Sequence, residues 1–359
     1  MLRALGMTTP TVWLVAAADA RRHRCVLALP ARRWKTMGMR VASARRVSRR
    51  RISRVTILLL LSIGSAATSA NATFEEANAD GRQDLVVRNG GGMQLLVAEE
   101  NTQPTLRIVL PGHPITDRSI EVIFPEHVTV RKHGSTDANQ FYLWRPGLSG
   151  ERPPLRRAGR SLEYERIFAG GVHMLARATL EEDGVRFRFR IQNRSDLTYD
   201  LVYVPLDPRL TGEFHDVRLE RTYVHHSDGF DLLASETPSR LTMPLDRWLP
   251  ARYLASFTWP VPSQRVEVRD GIPHYNKSRA VDAPFIATLS RDRRWVVASF
   301  TRTTGNVWSN PELTCQHVDT QPTSSPGEET ILETKILVVR GSLDDVFAMA
   351  MRQRDSVGK

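Results

Sequence analysis

Gly184 to Gln192 reads GVRFRFRIQ, with Val185, Phe187, Phe189 and Ile191 alternating with Arg186, Arg188 and Arg190. Period two puts four apolar side chains on one face of an extended chain and three guanidinium groups on the other. That is the pattern of a half-buried antiparallel strand. Comparable short runs recur at Asp84–Val87, Met93–Ala98, Thr105–Leu110, Ile120–Phe124, Val128–Lys132 and Gln140–Trp144. They continue at Leu162–Phe168, Val172–Leu180, Tyr199–Val204, Arg265–Val268, Phe285–Ser290, Trp295–Thr301 and Ile331–Val339. Asn89-Gly90 and Asp183-Gly184 sit between paired runs, where tight hairpin turns need positive φ. So many short strands with almost no helical periodicity predict an all-β chain, a large antiparallel β-sandwich.

One helix is expected near the C-terminus. Ser342 can cap it and Asp344 and Asp345 favour its positive end. Leu343, Val346, Phe347, Ala350 and Met351 then form one apolar stripe, expected to pack on the sandwich edge. Pro-rich Arg152–Leu155 and Pro244–Pro262 read as long connections, and Glu75–Gln83 and Gln321–Glu329 as exposed polar loops. Strands continue on both sides of each connection, so residues 73–359 are expected to form a single domain.

The net charge of +11 suggests nucleic acid until its location is considered. Of the 50 Lys and Arg, 14 lie in Met1–Ala72 with a single acid, Asp19, which leaves the remainder at −2. A phosphate-binding footprint belongs on the folded domain, so no nucleic-acid partner is expected. Arg45–Arg54 reads RRVSRRRISR and Val55–Ile63 reads VTILLLLSI, followed by small residues around Ala70 and Ala72. This order describes a secretory signal peptide over residues 37–72, cleaved after Ala72. Met37 and Met39 each give a leader of ordinary shape, so residues 1–36 read as an extension from too early a start. The apolar run is shorter than the ~20 residues of a bilayer span, so no membrane span is expected after cleavage. A secreted or periplasmic location follows. Ser48-Arg49-Arg50-Arg51-Ile52 resembles a twin-arginine signal, while the Leu-rich core suits the general secretory route equally. Of the 2 cysteines, Cys25 leaves with the leader and Cys315 remains alone, which excludes an intramolecular disulfide.

Three stretches carry candidate chemistry. In Cys315-Gln316-His317-Val318-Asp319, a strand places Cys315, His317 and Asp319 on one face, able to converge on a sugar or a metal. His317 with Asp319, and His225, are the candidate catalytic groups, because an imidazole titrates near neutrality. In Arg221–Asp228, Arg221, Tyr223 and His225 share a face, and the arginine fork suits a planar carboxylate. Adjacent His225 and His226 point to opposite faces. The run Arg247–Pro260, RWLPARYLASFTWP, offers Trp248 and Trp259 as stacking platforms for pyranose rings, with Trp308 near the His317 cluster as a third. Each has a plainer reading as core or solvated edge, and the Arg186, Arg188 and Arg190 stripe as a solvated sheet face. There is no G-x-S-x-G elbow, phosphate loop, dinucleotide fingerprint, H-E-x-x-H or EF-hand loop, and no metal or cofactor is assigned.

The strand Val185–Ile191 leading into Asn193-Arg194-Ser195 and then Tyr199–Pro205 resembles galactose mutarotase-like proteins. So does the succession Trp308-Ser309-Asn310-Pro311, Cys315-Gln316-His317-Val318-Asp319, Pro326-Gly327-Glu328 and Lys335–Gly341, which resembles uncharacterised exported bacterial members of that superfamily. The resemblance covers about Gly81 to Arg354. It implies the β-supersandwich shared by aldose epimerases and by domains of polysaccharide-active enzymes, with a poly- or oligosaccharide as partner. Aldose epimerases use two histidines and a glutamate, one histidine in a His-Pro context. Here His113-Pro114 lies between a strand and a polar turn, no glutamate partners it, and epimerase catalysis transfers to no residue. The readings left are a carbohydrate-binding protein, a carbohydrate-active lyase, hydrolase or epimerase, and a structural envelope protein.

Overall fold

The Gly184–Asn193 strand pairs antiparallel with Glu329–Arg340 on one side and Val172–Leu180 on the other. These form the middle of a nine-stranded sheet. Its order is Gly229–Leu232, Thr222–His226, Phe285–Leu289, Trp295–Phe300, Glu329–Arg340, Gly184–Asn193, Val172–Leu180, Ser161–Phe168 and Arg156–Ala158. The computed structural model describes residues 85–98, 103–112, 119–143 and 154–358, which belong to one unit, Asp80–Lys359. Met1–Ala72, Glu75–Gln83, His113-Pro114 and Arg152 lie outside the described residues.

Three smaller sheets pack against the large one. A five-stranded sheet runs Val86–Arg88, Gln94–Ala98, Thr105–Val109, Ser119–Ile123 and Asp207–Leu210, and a three-stranded one Tyr199–Tyr203, Val128–Lys132 and Ala138–Phe141. Val185, Phe187, Phe189 and Ile191 meet both of these in one core with Ile108, Val122, Phe124 and Val130. Phe124 touches Tyr164, Phe187 and Phe189 at ring-centroid separations of 5.6, 5.3 and 5.2 Å. Each such fully buried ring removes enough apolar surface from water to stabilise the fold by about 1.5–3 kcal/mol. A four-stranded sheet of Val266–Arg269, Ile272–Asn276, Arg252–Ser256 and Asn306–Ser309 adds a second core around Trp248, Val224, Val307 and Val318. Its Arg252–Ser256 and Ile272–Asn276 pair is parallel, a departure from the antiparallel pairing expected throughout.

The helix Leu343–Arg354 carries the expected capping box, with Ser342 accepting from the Asp345 N–H while Asp345 accepts from Ser342. It packs on the face of the large sheet, against Phe285, Ala287, Val296 and Phe300, and not on the sandwich edge. That explains Trp295–Phe300, which is buried at every residue. Trp295 and Val297 face the first core, and Val296, Ala298 and Phe300 face the helix. Pro244–Pro262 is also more than a connection, since it holds a short helix, Leu245–Trp248, and the Arg252–Ser256 strand.

The arginine stripe is not a free basic face. Arg186 pairs with Glu181 at 2.7 Å and Glu333 at 2.6 Å, Arg188 with the same buried Glu333, and Arg190 with Glu329 at 2.6 Å. Beside it the buried Lys335 ammonium meets Glu181 at 2.5 Å and Asp183 at 2.6 Å. Burial opposes ionisation of both acids. Arg186 and Lys335 at Glu181, and Lys335 and Gln353 at Asp183, outweigh it and hold both carboxyls below their ordinary range. A depressed carboxyl contributes stability above its unfolded pKa and loses it as pH falls through the folded value. Lys335→Met is therefore expected to lower the unfolding midpoint at neutral pH, with the gap to wild type closing on acidification below the ordinary carboxylate range. Denaturant unfolding across pH checks this, and a gap independent of pH contradicts it.

Candidate functional site

The segment after Asn310 has its back and front fixed by different partners. Gln316 points into the large sheet, donating to Thr288 Oγ1 at 3.0 Å and the Val297 carbonyl at 3.1 Å and accepting from Ser299 Oγ at 2.9 Å. Val318 enters the second core on the same alternation. Cys315, His317 and Asp319 are left to face the other way, toward the start of the Asp207–Leu210 strand. The Gln316 N–H donates to the Pro208 carbonyl at 3.2 Å, and the Leu206 N–H to Asp319 Oδ1 at 3.0 Å. A backbone bridge joins His317 to Trp308, with N–H to carbonyl distances of 3.0 and 3.1 Å.

His317 is buried at the centre of this arrangement. Its Nδ1 lies 3.2 Å from Asp319 Oδ2, and its Nε2 lies 3.5 Å from Asp207 Oδ1. Trp308 stacks on the ring at 3.8 Å and 2°. Arg209 Nε donates to Asp207 Oδ2 at 2.7 Å. Burial disfavours charge on His317, but Cys315, Asp207 and Asp319 outweigh it and hold its pKa well above the ordinary imidazole value. For Asp207 burial is likewise outweighed, by His317 and Arg209, and its carboxyl is lowered. Glu126 moves the other way. Burial, then the charge of Asp207, raise its carboxyl, against His317 and Arg209. Tyr203 is raised well above the phenol range by burial and by Asp319, Glu126 and Asp207. Glu126, Tyr203, Arg209 and Trp308 are partly exposed beside the buried Asp207 and His317, while the Asp319 carboxylate is itself buried against Leu206 and His317.

The expected same-face grouping of Cys315, His317 and Asp319 therefore converges in space. The wider surface, in which Arg221, Tyr223 and His225 join Trp308, His317 and Asp319, does not form. Tyr223 lies on the helix face of the large sheet, where His225 stacks on Phe347 at 3.9 Å and pairs with Asp282 at 2.8 Å. Val224, pointing the opposite way, packs in the second core with Val307 and Val318. Arg221 donates to the carbonyls of Glu213 at 3.0 Å, Leu289 at 2.7 Å and His215 at 2.5 Å, so its fork is spent on backbone. Trp248 is no stacking platform, being wholly buried edge-on to Tyr253 at 5.2 Å. Trp259 is half-buried over Gly305, where an added Cβ would meet its ring at 2.0 Å. Trp308 has one face taken by His317, and the Arg252 guanidinium lies over its ring at 5.7 Å from the centroid.

Sequence reasoning missed Asp207, Glu126, Arg209 and Tyr203. The available signal was Asp207-Pro208-Arg209, two charged residues at period two directly after an apolar strand. A concavity of about 260 Å³ lies among Glu236, Pro238, Arg265, Tyr275 and Asn276, and it contains none of the expected site residues.

Arg221→Lys keeps the charge and loses the fork. Hydrogen bonds from a charged donor are worth about 1.5–3 kcal/mol each, so a stability loss of that order is expected. Glycan affinity should be unchanged. Paired denaturation and binding titrations check this, and a weakened affinity at full stability would return Arg221 to the site.

No family model and no curated protein match this chain. Among solved structures it is similar to a galactose mutarotase-like protein from Lactobacillus casei ATCC 334, at 9% identity and TM-score 0.40 over 71% of this chain and 99% of that one. It is similar to a polysaccharide lyase at 10% identity and TM-score 0.39, over 74% of this chain and 35% of the lyase. An alpha-N-acetylgalactosaminidase from Bifidobacterium bifidum matches at 12% identity and TM-score 0.40, over 73% of this chain and 38% of that one. This chain thus spans little more than a third of the latter two.

Proposed function

We propose that the chain is an exported carbohydrate-binding protein whose sugar site is the polar rim over His317. The observation that carries this is the convergence of Glu126, Tyr203 and Arg209, partly exposed, beside a buried Asp207, His317 and Asp319 carboxylate. Sugar hydroxyls both donate and accept, and this rim supplies the Glu126 carboxylate beside a guanidinium donor and a phenol. The signal-peptide pattern of residues 37–72 supports export, and among the described residues no helix is long and apolar enough to cross a membrane. A glycan array probed with the purified chain, acidic and neutral polysaccharides side by side, identifies the ligand class. Tyr203→Phe then removes one hydroxyl and is expected to weaken binding about 3–10-fold, the worth of one hydrogen bond. Equal affinity of the Tyr203→Phe and wild-type proteins, or no glycan bound at all, contradicts the assignment.

A second reading, a carbohydrate-active enzyme at the same site, is favoured by one observation. Glu126 and Asp207 have their carboxyls pushed apart, one raised and one lowered. That separation is what distinguishes a proton donor from a standing anion in acid–base catalysis. Glu126 would hold a proton to give to a leaving oxygen while Asp207 remains ionised. Turnover on the array-selected glycan is then expected to fall as pH rises through the raised Glu126 value. Glu126→Gln should reduce it by about 10²–10⁴-fold. Binding with no product, in particular no unsaturated product absorbing in the near ultraviolet, leaves the binding reading alone.

A further inference from the structure

Cys315, His317 and Asp207 present a sulfur, a nitrogen and an oxygen within 4.8 Å of one another, and all three residues are buried. Each donor has its other valences occupied in a way that turns it toward the shared centre. Arg209 occupies Asp207 Oδ2, leaving Oδ1 buried with no hydrogen bond to accept. At 3.5 Å from His317 Nε2 that oxygen lies beyond a good hydrogen bond. Ion-paired with His317 but accepting no hydrogen bond, this buried oxygen is under-satisfied, and a bound cation would complete its contacts.

His317 is oriented as a metal ligand would be. Asp319 holds Nδ1 at 3.2 Å, which directs Nε2 toward Asp207, and Trp308 stacked at 3.8 Å fixes the ring plane. A carboxylate behind a histidine, fixing tautomer and ring, is the usual outer partner of a ligating imidazole. Asn310 Nδ2 donates to Cys315 Sγ at 3.1 Å.

We propose that Asp207 Oδ1, Cys315 Sγ and His317 Nε2 form a binding site for zinc(II), with a fourth position open to water or a sugar hydroxyl. A mixed sulfur, nitrogen and oxygen set suits zinc, whereas calcium and magnesium take oxygen ligands. Bonds of about 2.1 Å in a tetrahedron set ligand atoms about 3.4 Å apart, which the 3.5 Å between His317 and Asp207 already meets. Three protein ligands with one vacant place is the arrangement of a reactive zinc site, since structural sites are closed by four. On binding, the Cys315 thiol gives its proton to solvent and a Zn–S bond replaces the S–H, while a protonated His317 gives up the Nε2 proton. The proposal shares residues with the sugar rim but does not depend on the carbohydrate reading.

The test uses the full chain in a Cys25→Ser background, so that Cys315 is the sole thiol, freed of metal by chelator and titrated with cobalt(II) and then zinc(II) without sugar. A thiolate-to-cobalt charge-transfer band is expected, saturating at one equivalent and bleached by one equivalent of zinc. Cys315→Ser should abolish the band, and Asp319→Asn, which leaves all three ligands, should weaken zinc binding about 10–100-fold. Zinc should also raise the thermal midpoint of the Cys25→Ser protein and not that of Cys315→Ser, a comparison valid only where circular dichroism shows the variant folded. Absence of the band in the parent protein overturns the proposal whether or not any variant folds. So does zinc uptake equal in the parent and in folded Cys315→Ser. Metal uptake without glycan binding removes the sugar reading alone, and glycan binding without metal uptake removes the zinc site alone.

Discussion

The pairing of Gly184–Asn193 with Glu329–Arg340 joins segments about 147 residues apart, and the rest of the architecture hangs on it. It brings the C-terminal strand to the middle of the large sheet, which in turn fixes Trp295–Phe300, Phe285–Leu289 and the helix beyond. Backbone approach is close enough at Gly184 that a Cβ would lie 1.9 Å from the Ile336 carbonyl oxygen. The charged faces of the same two strands are matched, Glu333 receiving both Arg186 and Arg188. A buried charge left without its partner costs several kcal/mol, so this register is specified by electrostatics as well as by the apolar face.

The same constraint shapes the site. Pro326-Gly327-Glu328 returns the chain into Glu329–Arg340, the Gly327 N–H donating to the Asn193 carbonyl at 2.7 Å and the Asn193 N–H to Glu328 at 3.0 Å. Upstream, Gln316 and Val318 anchor into the sheet and its second core, so His317 and Asp319 have only one direction left. What they meet there is the Asp207–Leu210 strand, held at the edge of a different sheet. The site is thus a seam between the Asp207–Leu210 strand and the His317 segment, which is bridged to Trp308.

Legibility from sequence followed burial geometry. Val128–Lys132 and Val172–Leu180 matched their expected bounds, because an alternating or apolar run flanked by turn residues has few other solutions. Asp207–Leu210, Gly229–Leu232 and Ile272–Asn276 were not read as strands. They are short and carry Pro, Gly or charge, and their conformation is decided by partners. Of the two readings of Trp248, platform or core, the structure gives the core for a related reason. An aromatic in a Pro-flanked run looks like an exposed loop until the Arg252–Ser256 strand folds beside it. In the site, His317 and Asp319 were legible because they sit two residues apart on one strand-like segment. Asp207 and Glu126 reach them only through the fold, across separations such as the 113 residues between Leu206 and Asp319. Nor does sequence distinguish Arg221, spent on three carbonyls, from an arginine free to bind a ligand.

The proposed ligand recognition belongs to the seam around His317 and not to His225 under the helix. Imidazole ¹⁵N–¹H correlation spectra, assigned with His317→Asn and His225→Asn and followed during titration with the array-selected oligosaccharide, test it most directly. The account predicts that the His317 resonances shift with saturation while those of His225 and His226 hold still. Shifts confined to His225, or a saturating ligand that leaves His317 unmoved, would contradict it.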